Sequence, residues 1–184
     1  SSQGSTQEGF FSSVISSANG QVTNTITVDS GRLLQTLSGL PNGAASIQIS
    51  APGNTDTVSV NLDGRALYHL SGSGITLEIS TDDVIYSMPA TLLNVGQLLS
   101  QFGGDIPPES ITIGVTIADV SDETREMIRK TADGNNYEVV VRPIEFNITC
   151  SYENESIQIS RFSGYVDRYI AVPDGTDPSE ITTG

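Results

Sequence analysis

Two stretches in the first half of the chain show the same succession of local signals, and this repeat constrains the fold more than any other feature. The first stretch runs from Val28 to Ser50 and the second from Leu62 to Ser80. Each contains an aspartate suited to capping a helix, leucines at helical spacing, a Ser-Gly stop and an alternating apolar segment. We therefore predict a duplicated strand–helix–strand unit.

The predicted helix of each unit has its own start and stop signals. Asp29 or Ser30 in the first copy, and Asp63 in the second, can accept hydrogen bonds from the free N–H groups of the first turn. Gly39 and Gly72 are expected to permit a left-handed exit from the helix.

A looser third copy is predicted after these two. It consists of a strand at Val84–Met88, a helix at Leu92–Phe102 that ends at two glycines, and a strand at Ile111–Ile117.

The second half has a plainer β pattern. Apolar and polar residues alternate over Ile111–Ile117 and again over Ile144–Tyr152, as in half-buried strands. A helix is predicted to begin near Ser121, with acidic residues in its first turn, and to stop at Gly134. A hairpin turn near residues 153–155 and a final strand ending near Val172 complete the pattern.

The length and composition favour one domain built on these elements. A chain of 184 residues supports one sizeable core, and a hydrophobic content of 36% suits short strands joined by polar turns. We predict a β-rich α+β fold, mostly an antiparallel β-sandwich with three or four short helices. Residues 21–184 are expected to form a single module, with possible sub-halves 21–104 and 105–184.

The first twenty residues have a different composition. They are rich in Ser, Gly and Gln, which predicts a flexible linker. Two apolar pairs interrupt this segment, Phe10-Phe11 and Val14-Ile15. These four residues leave open a second interpretation, in which the segment docks onto a neighbouring molecule.

The charge excludes several kinds of partner. The formal net charge of −14 repels nucleic acid and anionic membrane surfaces, and no window of 18 apolar residues predicts membrane insertion. Calcium is the one partner that acidity favours, and the spacing of Asp174 and Asp177 gives a weak calcium hypothesis. Turn formation explains the same two residues without a metal. No other cofactor is expected.

The residues most often used in catalysis are scarce. The single histidine, His69, lies in the predicted second helix, at a position that an alignment of the two copies matches to Thr36. The single cysteine, Cys150, falls in the apolar phase of a strand, which predicts a buried core residue rather than a nucleophile. We therefore expect a protein that is not an enzyme.

Four segments resemble a known module. They are Ile85–Ala90, Arg142–Tyr152, Arg161–Gly175 and Ile181–Gly184. They are similar to a module found just upstream of S-layer homology repeats in large surface proteins of Firmicutes, such as Paenibacillus-like bacteria. The resemblance extends over residues 22–184 and implies an extracellular location at the bacterial cell surface. It implies no catalytic residues.

These observations lead to one favoured function and two alternatives. We expect a structural or spacer module of an S-layer-type surface protein. We expect it to be an excised or processed piece of a longer chain and to self-associate into an array or fibre. The first alternative is a glycan-binding or calcium-dependent adhesive module. The second is a hydrolytic enzyme centred on His69.

Overall fold

The computed structural model describes residues 3–51, 55–135, 139, 142–160, 167–172, 175–177, 179 and 181. The strands are β1 (Gln3–Glu8), β2 (Phe11–Ala18), β3 (Gln21–Val28), β4 (Ser46–Ser50), β5 (Thr57–Asp63), β6 (Thr76–Ser80), β7 (Val84–Pro89), β8 (Thr112–Asp119), β9 (Ile144–Tyr152), β10 (Glu155–Gln158) and β11 (Asp167–Ile170). The α-helices are α1 (Ser30–Ser38), α2 (Gly64–Ser73), α3 (Val95–Gln101) and α4 (Asp122–Gly134). Short 3₁₀ turns lie at Ala90–Leu92 and Pro108–Ser110.

The strands form two sheets. The larger is seven-stranded, in the order β1-β2-β3-β5-β8-β9-β10, and the smaller is four-stranded, in the order β11-β7-β6-β4. Two pairings are parallel, β3 with β5 and β4 with β6, whereas the other pairings between described strands are antiparallel. The predicted β-rich α+β fold with mostly antiparallel sheets and four helices is confirmed.

The two parallel pairings confirm the duplication. Thr23 pairs with Thr57, and the helix caps Asp29 and Asp63 lie the same 34 residues apart. Each copy runs from the seven-stranded sheet through a helix into the four-stranded sheet, so the copies stack strand on strand and α1 on α2. Ser46 pairs with Thr76, only 30 residues away, because the loop before β4 is longer than the loop before β6.

The helix starts follow the sequence signals. The Asp29 carboxylate accepts a hydrogen bond from the Arg32 N–H at 2.8 Å, and the Asp63 carboxylate accepts one from the Ala66 N–H at 2.7 Å. Each cap satisfies a donor that the helix itself leaves unpaired.

The helix stops differ from the prediction. Gly39 ends α1 in a right-handed conformation, with φ of −91°, and Gly72 lies inside α2. Gly74, two residues later, makes the left-handed exit with φ of +65°. α2 has 10 residues against 9 in α1 and continues past its Ser71-Gly72 pair, so that pair does not mark the end.

The predicted third copy is present as elements but not as a stacked repeat. Its strands are β7 and β8, with α3 between them, in the predicted order. It runs from the four-stranded sheet back into the seven-stranded sheet, and β8 pairs antiparallel to β5. It therefore closes the sandwich instead of extending the parallel repeat.

The N-terminal segment is part of the larger sheet, which corrects the expectation of a flexible linker over residues 1–20. Residues 3–8 and 11–18 form β1 and β2, and β2 pairs with β3 along its whole length. Asn19 and Gly20 join β2 to β3 with φ of +53° and +80°, as a two-residue hairpin turn requires. The boundary placed at residue 20 therefore falls within a hairpin.

One hydrophobic core joins the sheets. Ile113, Val115 and Ile117 of β8 are buried together with Leu77 and Ile79 of β6, so the core receives side chains from both sheets. Because β8 also pairs with β5, the possible sub-halves 21–104 and 105–184 share one sheet and one core.

The first turn of α2 provides a test of this packing. A Cβ atom on Gly64 would lie 2.5 Å from the Pro108 carbonyl oxygen and 2.9 Å from Cγ1 of Ile111. We expect Gly64→Ala to lower the free energy of unfolding by about 1–3 kcal/mol, because neither neighbour is a flexible side-chain tip. Urea denaturation measures this change.

Gly72 in the same helix is the matched control. A Cβ atom there meets nothing within 4 Å. Gly72→Ala should therefore stabilise the protein by about 0.5–1 kcal/mol through helix propensity. Equal effects of the two substitutions would contradict the packing described for Gly64.

Candidate functional site

Cys150 lies on β9 in the core and is fully buried. Burial raises the pKa of its thiol to about 11. At neutral pH the side chain is therefore almost entirely the thiol, which is a poor nucleophile. The prediction of a core cysteine is confirmed.

His69 is half-buried on α2. It follows the cap Asp63 by six positions, as Gln35 follows the cap Asp29, so the structural equivalent of His69 is Gln35 and not Thr36. His69 therefore still matches a polar residue of the other copy, as expected, but this residue is Gln35, one position before Thr36.

The four predicted docking residues do not share one surface. Phe10 and Phe11 are 7% and 6% exposed and contact each other edge to face, with ring centroids 5.3 Å apart. Val14 is half-buried. Ile15 lies on the face of β2 opposite to Val14 and is 38% exposed. The phenylalanines thus anchor the N-terminal hairpin to the chain's own core, which leaves no four-residue patch for a neighbour.

Of the two predicted calcium ligands, Asp174 lies outside the described residues. The Asp177 carboxylate accepts hydrogen bonds from the Ser179 hydroxyl at 2.7 Å and from the Ser179 N–H at 2.9 Å. These bonds, the hydroxyl first, lower the pKa of Asp177. The described part of the chain holds no group of three or more His, Cys, Asp or Glu residues arranged to bind a metal. Calcium binding at this turn stays a prediction.

Arg142 forms an ionic cluster where the two sheets meet. Its guanidinium is paired with Asp119 at the end of β8, and its Nη1 lies 4.0 Å from Oδ2 of Asp83, just before β7. The Asp56 carboxylate lies in the same cleft and accepts a hydrogen bond from the Val22 N–H at 2.7 Å. The cluster thus connects residues from the ends of both sheets.

The electrostatics of this cluster indicate a structural role. The hydrogen bond to Asp119, and then the charges of Asp119, Asp83 and Asp56, raise the pKa of Arg142. The cleft has a volume of about 50 Å³, which is room for one or two water molecules and too little for a sugar or cofactor. Because Arg142 is 41% exposed, water screens the pair, and we expect a contribution of at most about 1 kcal/mol.

A second contact between the sheets involves aromatic rings. Tyr86 of β7 stacks on Phe146 of β9 with centroids 5.2 Å apart, and the Arg168 guanidinium of β11 lies 4.9 Å from the Phe146 centroid. Burial raises the pKa of Tyr86, although the nearby Arg168 opposes this rise. The Arg168 guanidinium thus attaches the edge strand β11 to the stacked rings of Tyr86 and Phe146.

A groove with an exposed aromatic ring lies between α2 and the segment 91–96. Its volume is about 310 Å³. Tyr68, which is 66% exposed, lies on one wall, and Thr91 and Asn94 lie on the other. We call it the Tyr68 groove.

Sequence reasoning missed this groove and the Arg142 cluster. A signal for the groove was present, because Tyr68 lies off the apolar stripe formed by Leu67 and Leu70. No comparable signal marks the cluster, since Asp56, Asp119 and Arg142 meet only through strand pairing.

Comparisons with known proteins give no relative. No protein-family model matches the chain, and no curated protein or solved structure matches it at a significant level. Among the described helices, none is long and apolar enough to cross a membrane.

The anchoring of the N-terminal hairpin can be tested by truncation of its side chains. We expect Phe10→Ala to lower the free energy of unfolding by about 3 kcal/mol, because it empties a buried site. Ile15→Ala on the neighbouring strand is the control, with an expected effect below about 1 kcal/mol. Thermal and urea unfolding measure both. A Phe10→Ala protein as stable as the wild type would show that the hairpin is not anchored in this way.

Proposed function

We propose that the chain is a non-catalytic structural module of an extracellular bacterial surface protein and that it self-associates through an open sheet edge. The observation that carries this proposal is the uncharged edge strand β4, whose outward backbone groups are available to a second copy.

The use of the polar side chains supports a structural role. All four described α-helices begin with a side-chain cap, provided by Asp29, Asp63, Asn94 and Ser121. The ionic cluster around Arg142 likewise ties together the ends of the two sheets. Polar groups in these positions organise the fold.

Two hydrogen bonds define which way the backbone of β4 faces. The Ala45 carbonyl accepts from the Thr76 N–H at 3.0 Å, and the Ala51 N–H donates to the Ser80 carbonyl at 2.7 Å. In a parallel pair the residues that bond to the partner alternate. The odd-numbered residues of β4 therefore bond to β6, and the N–H and C=O of Gln48 face away from the sheet.

The composition of the edges favours β4 as the contact. Among the side chains of Ser46–Ser50 there is no charge and no proline. By contrast, β10 contains Glu155, and β11 contains Asp167 and Arg168. An edge without charges or prolines is the kind that pairs with another strand. The net charge of −14 opposes association, so salt should favour it by screening.

The extracellular location is supported by the resemblance to modules that precede S-layer homology repeats. A single, buried cysteine is also consistent with surface proteins of Gram-positive bacteria, which often lack disulfides. In this setting a sandwich with an open edge would act as a spacer that also links neighbouring molecules.

The test compares the oligomeric state of the wild type with that of Gln48→Pro. Proline removes an N–H that faces away from the sheet, so the bonds between β4 and β6 are retained. We expect light scattering and electron microscopy to show oligomers or fibres of the wild type, increasing with salt, and monomers of the variant.

The control is Gln158→Ala on β10, which changes an exposed strand residue at another sheet edge. Gln158→Ala should assemble like the wild type. A wild type that stays monomeric at high protein and salt concentration would refute self-association. A polymer that persists in Gln48→Pro would refute the role of β4.

A further inference from the structure

The Tyr68 groove has walls from two elements that the fold holds in contact. Tyr68 and Ser71 project from α2, and the opposite wall is formed by the segment from Thr91 to Gly96. Leu93 and Val95 of that segment are buried, which fixes the backbone of this wall. A volume of about 310 Å³ lies within the range of small-molecule sites.

The groove presents polar groups that the protein does not use. No described residue forms a hydrogen bond with the side-chain hydroxyl of Tyr68, Ser71 or Thr91. The Asn94 side-chain oxygen accepts from the Gln97 N–H at 3.0 Å, which leaves its NH₂ group directed to no described partner. Both donors and acceptors therefore surround an exposed aromatic ring.

The groove also lacks charge. None of its lining residues is Asp, Glu, Lys, Arg or His, although the chain contains 22 acidic residues. An anionic ligand would find no cation there and would be repelled by the acidic surface around it. A cationic ligand would find no carboxylate. The lining therefore suits a neutral ligand rich in hydroxyl groups.

We infer that the Tyr68 groove binds a neutral saccharide, with one sugar ring packed against the Tyr68 ring. The apolar face of a sugar ring covers the aromatic face, and its hydroxyls exchange hydrogen bonds with Ser71, Thr91 and Asn94. This contact does not rest on the self-association through β4, since it uses neither that strand nor a second copy.

The test is an NMR titration of the ¹⁵N-labelled protein with neutral oligosaccharides, namely tetramers of N-acetylglucosamine, glucose and mannose. Oligogalacturonate serves as the anionic comparison. We expect at least one neutral oligosaccharide to cause saturable chemical-shift changes of the backbone amides in residues 68–72 and 91–96. Oligogalacturonate should cause no such changes.

Variants distinguish stacking from other contacts. Tyr68→Ala should weaken binding by about tenfold or more, while Tyr68→Phe keeps the ring and should retain most of the affinity. Tyr169→Ala is the matched control, because Tyr169 is similarly exposed at 60% but lies on β11. It should bind like the wild type.

Three results would overturn the inference. The first is the absence of saturable chemical-shift changes in the groove with every neutral oligosaccharide tested. The others are unchanged binding by folded Tyr68→Ala and preferential binding of oligogalacturonate. None of them bears on the oligomeric state, so failure here is separate from failure of the proposed function.

Discussion

The parallel pairing of β3 with β5 is the constraint on which the rest of the structure depends. Parallel neighbours need a crossover connection, and here α1 and β4 lie within it. The same 34-residue offset that pairs Thr23 with Thr57 also aligns the capping aspartates Asp29 and Asp63. The two copies can therefore stack along strand and helix together, and the second parallel pair, β4 with β6, follows from that stacking.

The remaining elements close the core around this pair. On one side of β3, the hairpin of β1 and β2 extends the sheet and inserts Phe10 and Phe11 into the core. On the other side, β5 pairs with β3, β8 pairs antiparallel to β5, and β9 pairs antiparallel to β8. The smaller sheet is left with β4 at an edge, because its only described partner is β6. The proposed self-association thus arises from the same duplication that builds the fold.

The sequence predicted features that depend on local physics. The helix caps, the alternation in β8 and β9 and the burial of Cys150 follow from hydrogen-bonding capacity and periodicity within a few residues. The N-terminal strands were missed because Ser and Gly weaken strand propensity, whereas long pairing to β3 and burial of two phenylalanines overcome it. At the sites, the helical spacing of α2 signals only that Tyr68 is exposed. The Arg142 cluster and the Tyr68 groove each bring together residues distant in sequence, so composition and spacing could not place them. The direction of the third strand–helix–strand segment likewise depends on which sheet the chain has already entered.

Native-state hydrogen exchange tests most directly whether one duplicated, shared core underlies the whole module. Amides in β3, β5 and β8 should exchange slowest and with a common free energy of opening, because they lie at the centre of the larger sheet and around one core. Strand β2 should be protected well above the level of an unfolded segment. Independent opening of residues 105–184, while β3 and β5 remained protected, would contradict a shared core. Exchange in β3 and β5 as fast as in the edge strands would contradict it as well.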